Sequence, residues 1–157
     1  MLDGAVIVDA VVSAFQSIPA LLAEMDEDPT RIGSFHFLYG VDVPLRVAIA
    51  QMLSPSMLVW WESSGPGRLN GMTTWQHTLG GAFRIGNVAG EDDPAGPSTV
   101  FQIMMNSPVN GGSVCIRKVR LLPTLYLMDT PTVQQRVDEQ GLDYFQFRMV
   151  FPEDGDF

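Results

Sequence analysis

The 157-residue sequence predicts an α/β chain of the α+β type, a mixed, mostly antiparallel sheet with helices packed mainly on one face. Three observations predict it. The stretch from Thr130 to Phe157 alternates with period 2 on both sides of a turn, as a half-buried hairpin does. The residues Val8, Val11, Val12, Phe15 and Ile18 recur with period 3.6 and make one helical stripe. Between these ends, Met57 to Trp61 and Met72 to Ile85 read as two strands that pair in a long hairpin.

Taken in order, Asp3 caps the first helix, and Pro19 fits the first turn of a second, Pro19 to Met25, in which Leu21, Leu22 and Met25 continue the apolar face. Asp26-Glu27-Asp28-Pro29 stops it in a surface loop, whose spacing lacks the alternating ligands and terminal glutamate of a calcium loop. Ser34 to Tyr39 alternates as a short strand. Asp42 and Pro44 then sit where a cap and an early-turn proline belong, ahead of a helical stripe of Leu45, Ala48, Ile49 and Met52. Ser63-Ser64-Gly65-Pro66-Gly67 reads as a loop by composition, and Gly80-Gly81 as a bulge or bend. Gly86 to Pro97 is an acidic loop with almost nothing to bury, after which Ser98 caps a helix carrying Val100, Ile103 and Met104 inward. Ser113 to Leu121 reads as a strand with Val114 and Ile116 inside; Lys118 and Arg120 share the parity of Ile116, so the strand must bulge or leave the core after it.

The closing hairpin is the most fully specified element. Val133, Gln135 and Val137 share one side of its first strand, Gly141 supplies a positive φ in the turn, and Phe145, Phe147, Met149 and Phe151 line one face of the second strand. Such a row is the floor of a core. In all, four to six strands are expected, in one domain spanning residues 1–157.

Charge and composition narrow the function. Eighteen acidic against nine basic residues give −9, which argues against tight non-specific attachment to nucleic acid or anionic membrane, since both require basic patches. The single Cys115 permits no internal disulfide. No apolar run reaches the ~18 residues that span a bilayer, and the N-terminus lacks a basic n-region, so a cytosolic chain without targeting segment is expected. His36 and His77 are the only histidines, each on an expected strand, where a structural role is the commoner one. Neither they nor Cys115 lies in a nucleophile, phosphate-loop or metal-ligand motif, so no catalytic residue, cofactor or metal is expected.

Thr74-Trp75-Gln76-His77-Thr78, Met128-Asp129-Thr130-Pro131 and Asp138-Glu139-Gln140-Gly141-Leu142-Asp143-Tyr144-Phe145 together resemble the tail-terminator, or tail-completion, proteins of long-tailed bacteriophages. The element order is similar too: amphipathic N-terminal helix, strand, long strand, loop and short helix, then a C-terminal hairpin. The resemblance implies a structural, non-enzymatic virion protein, made in the host cytoplasm and built into the tail and neck. It would form a hexameric ring that caps the tail tube, joins it to the head-tail connector and lets DNA pass its lumen without specific binding. Another neck or minor tail ring, or a small hydrolase or ligand-binding protein using His36 or His77, is the alternative. In a ring of copies carrying −9 each, the basic cluster Arg117, Lys118 and Arg120 is expected to meet an acidic segment of a neighbour or of the tube protein. The candidate acids are Asp26 to Asp28, then Glu91, Asp92 and Asp93, then Glu153, Asp154 and Asp156.

Overall fold

The structure, a computed structural model, describes residues 2–35, 44–69, 71–85, 96–122, 125–127 and 132–153. Its first helix, α1 (Gly4–Gln16), is capped as expected, the Asp3 carboxylate accepting from the Ala5 N–H at 3.1 Å. Its β-branched residues are mediocre helix formers, so the helix depends on what its stripe covers. Ile7, Val8, Val11, Val12, Ala14 and Phe15 are all buried. Helix α2 (Pro19–Glu24) begins at Pro19, whose missing N–H costs nothing in a first turn, and tucks Leu21 and Met25 inside. A 3-10 turn (Pro29–Arg31) leads into strand β1 (Ile32–Phe35). That strand starts two residues earlier than the alternation suggested, and residues 36–39 of the expected strand lie outside the described residues, as does Asp42.

Helix α3 (Leu45–Ala50) has Pro44 as its N-cap rather than as a first-turn residue. Strands β2 (Ser56–Leu69) and β3 (Met72–Arg84) form the expected hairpin, with one correction. Ser63 to Gly67 is strand, not loop. Composition misleads there because each residue is paired across to β3, Gly65 to Gln76 and Gly67 to Thr74, in an arm that has little core to fill. The single shift of register falls between Trp61 and Ser63, so Glu62 is the bulged residue.

Gly80 and Gly81, read as a bulge or bend, pair in register with Trp60 and Val59. Their role is close approach: a Cβ at Gly80 would strike the Trp60 indole, and one at Gly81 the Phe147 ring. Each bare backbone is thus a shelf for an aromatic ring, on opposite faces of the sheet.

Helix α4 (Gly96–Asn106) begins before Ser98, and it buries Phe101 and Met105 as well as Val100 and Met104. The expected strand from Ser113 to Leu121 is replaced by a Pro108–Cys115 bridge, a turn closed by Lys118 N–H to Cys115 C=O at 3.0 Å, and the short strand β4 (Arg120–Leu122). The turn resolves the parity conflict after Ile116, which is buried, while Val114 is left exposed. Strand β5 (Leu125–Tyr126) follows, then β6 (Val133–Val137) and β7 (Asp143–Glu153). Gly141 has φ +80° in their turn. Strand β6 is more exposed than a half-buried strand, with Val137 62% exposed.

Among the described residues the sheet has seven strands, in the order β1-β2-β3-β7-β5-β4, with β6 also on β7; β1 runs parallel to β2 and every other pair is antiparallel. This is the mixed, mostly antiparallel sheet expected. Phe147, Met149 and Phe151 join Met57, Val59, Leu79 and Phe83 under α1, α2 and α4 as the main core. Across the sheet, α3 lays Ile49 on Trp60 and Ala82, with Leu45, Met52 and Tyr144 around them.

Candidate functional site

Register brings together residues that are far apart in sequence. His77 pairs with Phe151 on one side and with Ser64 on the other, and Trp75 pairs with Glu153. The bulge at Glu62 matters here: by shifting the pairing one residue it places Ser64, not Ser63, beside His77 on the α1 face. Glu153 has the parity of Phe145, Phe147, Met149 and Phe151, so it too points inward.

The result is a buried polar relay. Trp61 Nε1–H donates to Ser64 Oγ at 2.8 Å, Ser64 Oγ lies 2.6 Å from His77 Nδ1, and His77 Nε2 lies 2.7 Å from Glu153 Oε2. The Leu2 backbone N–H donates to both Glu153 oxygens, at 3.1 and 3.2 Å. With Glu153 ionised, the His77 Nε2–H donates to its carboxylate, and Nδ1 and the Ser64 hydroxyl share the next bond of the row. His77 is fully buried and Glu153 is 5% exposed. Burial, the largest single influence, pushes the Glu153 carboxyl up; the bonds from His77 and Leu2 and the His77 charge outweigh it and hold the pKa below the ordinary glutamate value.

A serine, a histidine and a carboxylate in a row can pass a proton from the hydroxyl to the ring. Here, however, the Ser64 oxygen is engaged on both sides, and its neighbours on the relay are packed rather than arranged around a cleft. The clearest consequence is mechanical: one network joins the base of the β2–β3 arm, the end of β7 and the start of the chain.

A second buried polar group lies at the other end of β3. Arg84 forms an ion pair with Asp138, and it donates to the Ile49 carbonyl at 3.0 Å and the Asp143 carbonyl at 3.1 Å. Asp138 in turn accepts from the Gln140 and Leu142 N–H groups, at 2.8 and 2.9 Å, which builds the β6–β7 turn. The Leu142 bond comes first among the causes that keep its carboxyl below the usual aspartate value, ahead of those from Arg84 and Gln140 and against the cost of burial.

Of the expected interface residues, Arg117, Lys118, Arg120 and Glu153 are among the described ones. Arg117 and Lys118 lie in the turn after Ile116 and Arg120 begins β4, its guanidinium 5.2 Å from the centre of the Tyr126 ring. Arg117 is half-buried, and its Nε is buried without a hydrogen bond, so the basic patch opens mainly through Lys118 and Arg120. Glu153 was expected at an acidic surface and is instead interior. Its parity with the apolar row was the available signal. His36, Glu91, Asp92, Asp93, Asp154 and Asp156 lie outside the described residues. Sequence reasoning missed Ser64, Arg84 and Asp138, because only the strand register makes them neighbours.

Among the described residues no three His, Cys, Asp or Glu side chains converge as a metal site, and no helix is long and apolar enough to cross a membrane. Neither models of known protein families nor curated proteins give a match to this chain.

Proposed function

We propose that this chain is a structural ring subunit of a phage-type tail, a tail terminator that caps the tube and meets the head-tail connector. The observation that carries the reading is the element order. An amphipathic N-terminal helix, a first strand, the long β2–β3 hairpin, helix α4 and a C-terminal hairpin occur in the sequence that the family resemblance implies, with α2, α3 and the β4–β5 pair as additional elements between them. Two further features support it. The outer part of the β2–β3 arm, with Arg68 and Thr73 exposed, extends past the described residues of the strands that flank its base. Strand β6 presents four of its five side chains to solvent at a sheet margin, which a neighbouring copy would cover. The virion tail and neck are the place this reading assigns, with DNA passing the lumen. Another neck or minor tail ring would share these features. The experiment is co-expression with a tube protein from the same phage genome, followed by electron microscopy. Capped tubes of uniform length support a terminator, and tubes of unchanged length with no terminal density contradict it.

A hydrolase is the second reading, and the Ser64–His77–Glu153 row is the observation that favours it. Labelling of Ser64 by a serine-directed fluorophosphonate, lost in Ser64→Ala and in His77→Ala, would support it. A stably folded protein that takes no label would remove it.

A further inference from the structure

We infer that the groove between β6 and β7 of one subunit receives the acidic loop Asp26 to Asp28 of the next subunit, a contact that rests on the ring reading and specifies its interface. The groove, about 290 Å³, is lined by Thr132, Gln134, Arg136, Gln146, Arg148 and Val150. Gln134 and Gln146 are cross-strand partners, with Arg136 and Arg148 flanking them on the same face. Arg148 is 65% exposed, and only its Nε is engaged, by Glu62 at 2.9 Å; Arg136 is exposed and gives one N–H to Gln134 at 3.0 Å. Both guanidiniums therefore retain outward donors for a carboxylate. Glu62 offsets one of the two charges, which leaves the groove a net cationic spot.

Cations are scarce in this chain, nine against eighteen acids. Arg31 is taken by Asp26 and Asp28, Arg46 by Glu139 and Arg84 by Asp138, so that besides the exposed Arg68, Lys118 and Arg120 the Arg136–Arg148 pair is a place where the described surface is locally positive. Copies carrying −9 each repel, so they must meet where one of them is locally positive. The acidic loop is a rigid partner for such a spot. Asp26 and Glu27 both stand at positive φ, and the loop is braced by Glu27 N–H to Leu22 C=O at 2.8 Å and Asp28 N–H to Met25 C=O at 3.1 Å. Glu27 is exposed, and its carboxylate makes no bond among the described residues.

Position decides between self-contact and assembly. The acidic loop leads into β1 at one margin of the sheet, and the groove lies at β6 and β7 on the far side of β2 and β3. No subunit can bring its own loop to its own groove. A contact between two different surfaces is heterologous, the kind that builds a ring when its rotation closes.

The test is native mass spectrometry of full-length protein at low salt, with Arg136→Glu, Glu27→Lys and the combined chain carrying both. The two single variants change exposed side chains on separate elements, and circular dichroism checks that each folds. Each should need about tenfold more protein to assemble, because a like-charge pair replaces an attraction, and the combined chain should recover wild-type assembly. Wild-type rings with unaffected single variants, or a combined chain no better than either, would overturn the contact and leave the ring reading standing. A wild-type chain that stays monomeric at every concentration would overturn both.

Discussion

His77 and Arg84 stand at the two ends of the core segment of β3, roughly 23 Å apart at strand rise, and each holds a carboxylate from a distant part of the chain. The ends are built differently. At the His77 end the groups form a relay of hydrogen bonds through Ser64 and Trp61 that also takes up the Leu2 N–H. At the Arg84 end a formal ion pair is surrounded by carbonyls and turn N–H groups, and it fastens the β6–β7 turn to α3. Between them Gly80 and Gly81 carry aromatic rings on opposite faces. The difference teaches how one strand can serve three purposes: apolar packing supplies stability in its middle, and polar contacts at its ends fix where the arm and the turn point. A buried ion pair is poor value as stabilisation but costly to break, which suits a part that must keep its orientation.

The middle should matter most. Phe147, 2% exposed and seated on Gly81, should cost about 3–5 kcal/mol when changed to Ala, a large share of a total stability of roughly 5–15 kcal/mol. Urea denaturation checks this; a loss below that of Arg148→Ala would put the β7 register off by one. Arg84→Met should come next, because it strands Asp138 beside the turn, and hydrogen exchange should rise first at Gln140 and Leu142. Protection lost equally throughout the sheet would mean that Arg84 braces the whole fold rather than the turn.

Glu153→Gln should be smaller, about 1–3 kcal/mol, since its amide turns a donor toward either the Leu2 N–H or His77. It should also change the pH profile. The folded-state carboxyl sits below its ordinary value of 4.5, so its contribution is fully present above that value and is lost as pH falls through the folded pKa. The wild type should lose stability from about pH 4.5 downward, and the variant should lose less over the same window. Parallel profiles would contradict the relay. Because the ends lie far apart, the losses from Arg84→Met and Glu153→Gln should add within about 0.3–0.5 kcal/mol in the double variant. Arg148→Ala should cost least, about 0–1 kcal/mol, as its partner Glu62 and its own guanidinium are solvent-accessible.

The apolar faces of the middle were legible in the sequence; the in-register pairing of Gly80 and Gly81, which read as a bulge or bend, and the polar ends were not. Alternation of Phe145, Phe147, Met149 and Phe151 and the stripe of Val8, Val11, Val12 and Phe15 are statements about faces, and local spacing determines faces. Which residues stand opposite one another depends on register, and register was set by a bulge at Glu62 that nothing in Trp61-Glu62-Ser63 announces. Asp138 read as an ordinary turn residue and Glu153 as the start of an acidic surface, because charge in a short run looks solvated until a partner strand is placed beside it. Ser63 to Gly67 read as a loop for the complementary reason: glycine, proline and serine are disfavoured in strands on average, but in an arm held by β3 there is little core for larger residues to fill.

The proposed ring is tested most directly by the mass of the purified wild-type chain in solution, measured by light scattering or native mass spectrometry across a concentration series at low and high salt. The account predicts a closed oligomer, six copies by the family resemblance, that weakens as salt screens the charged contacts between subunits. A single species at the 17.2 kDa monomer mass under every condition would contradict it.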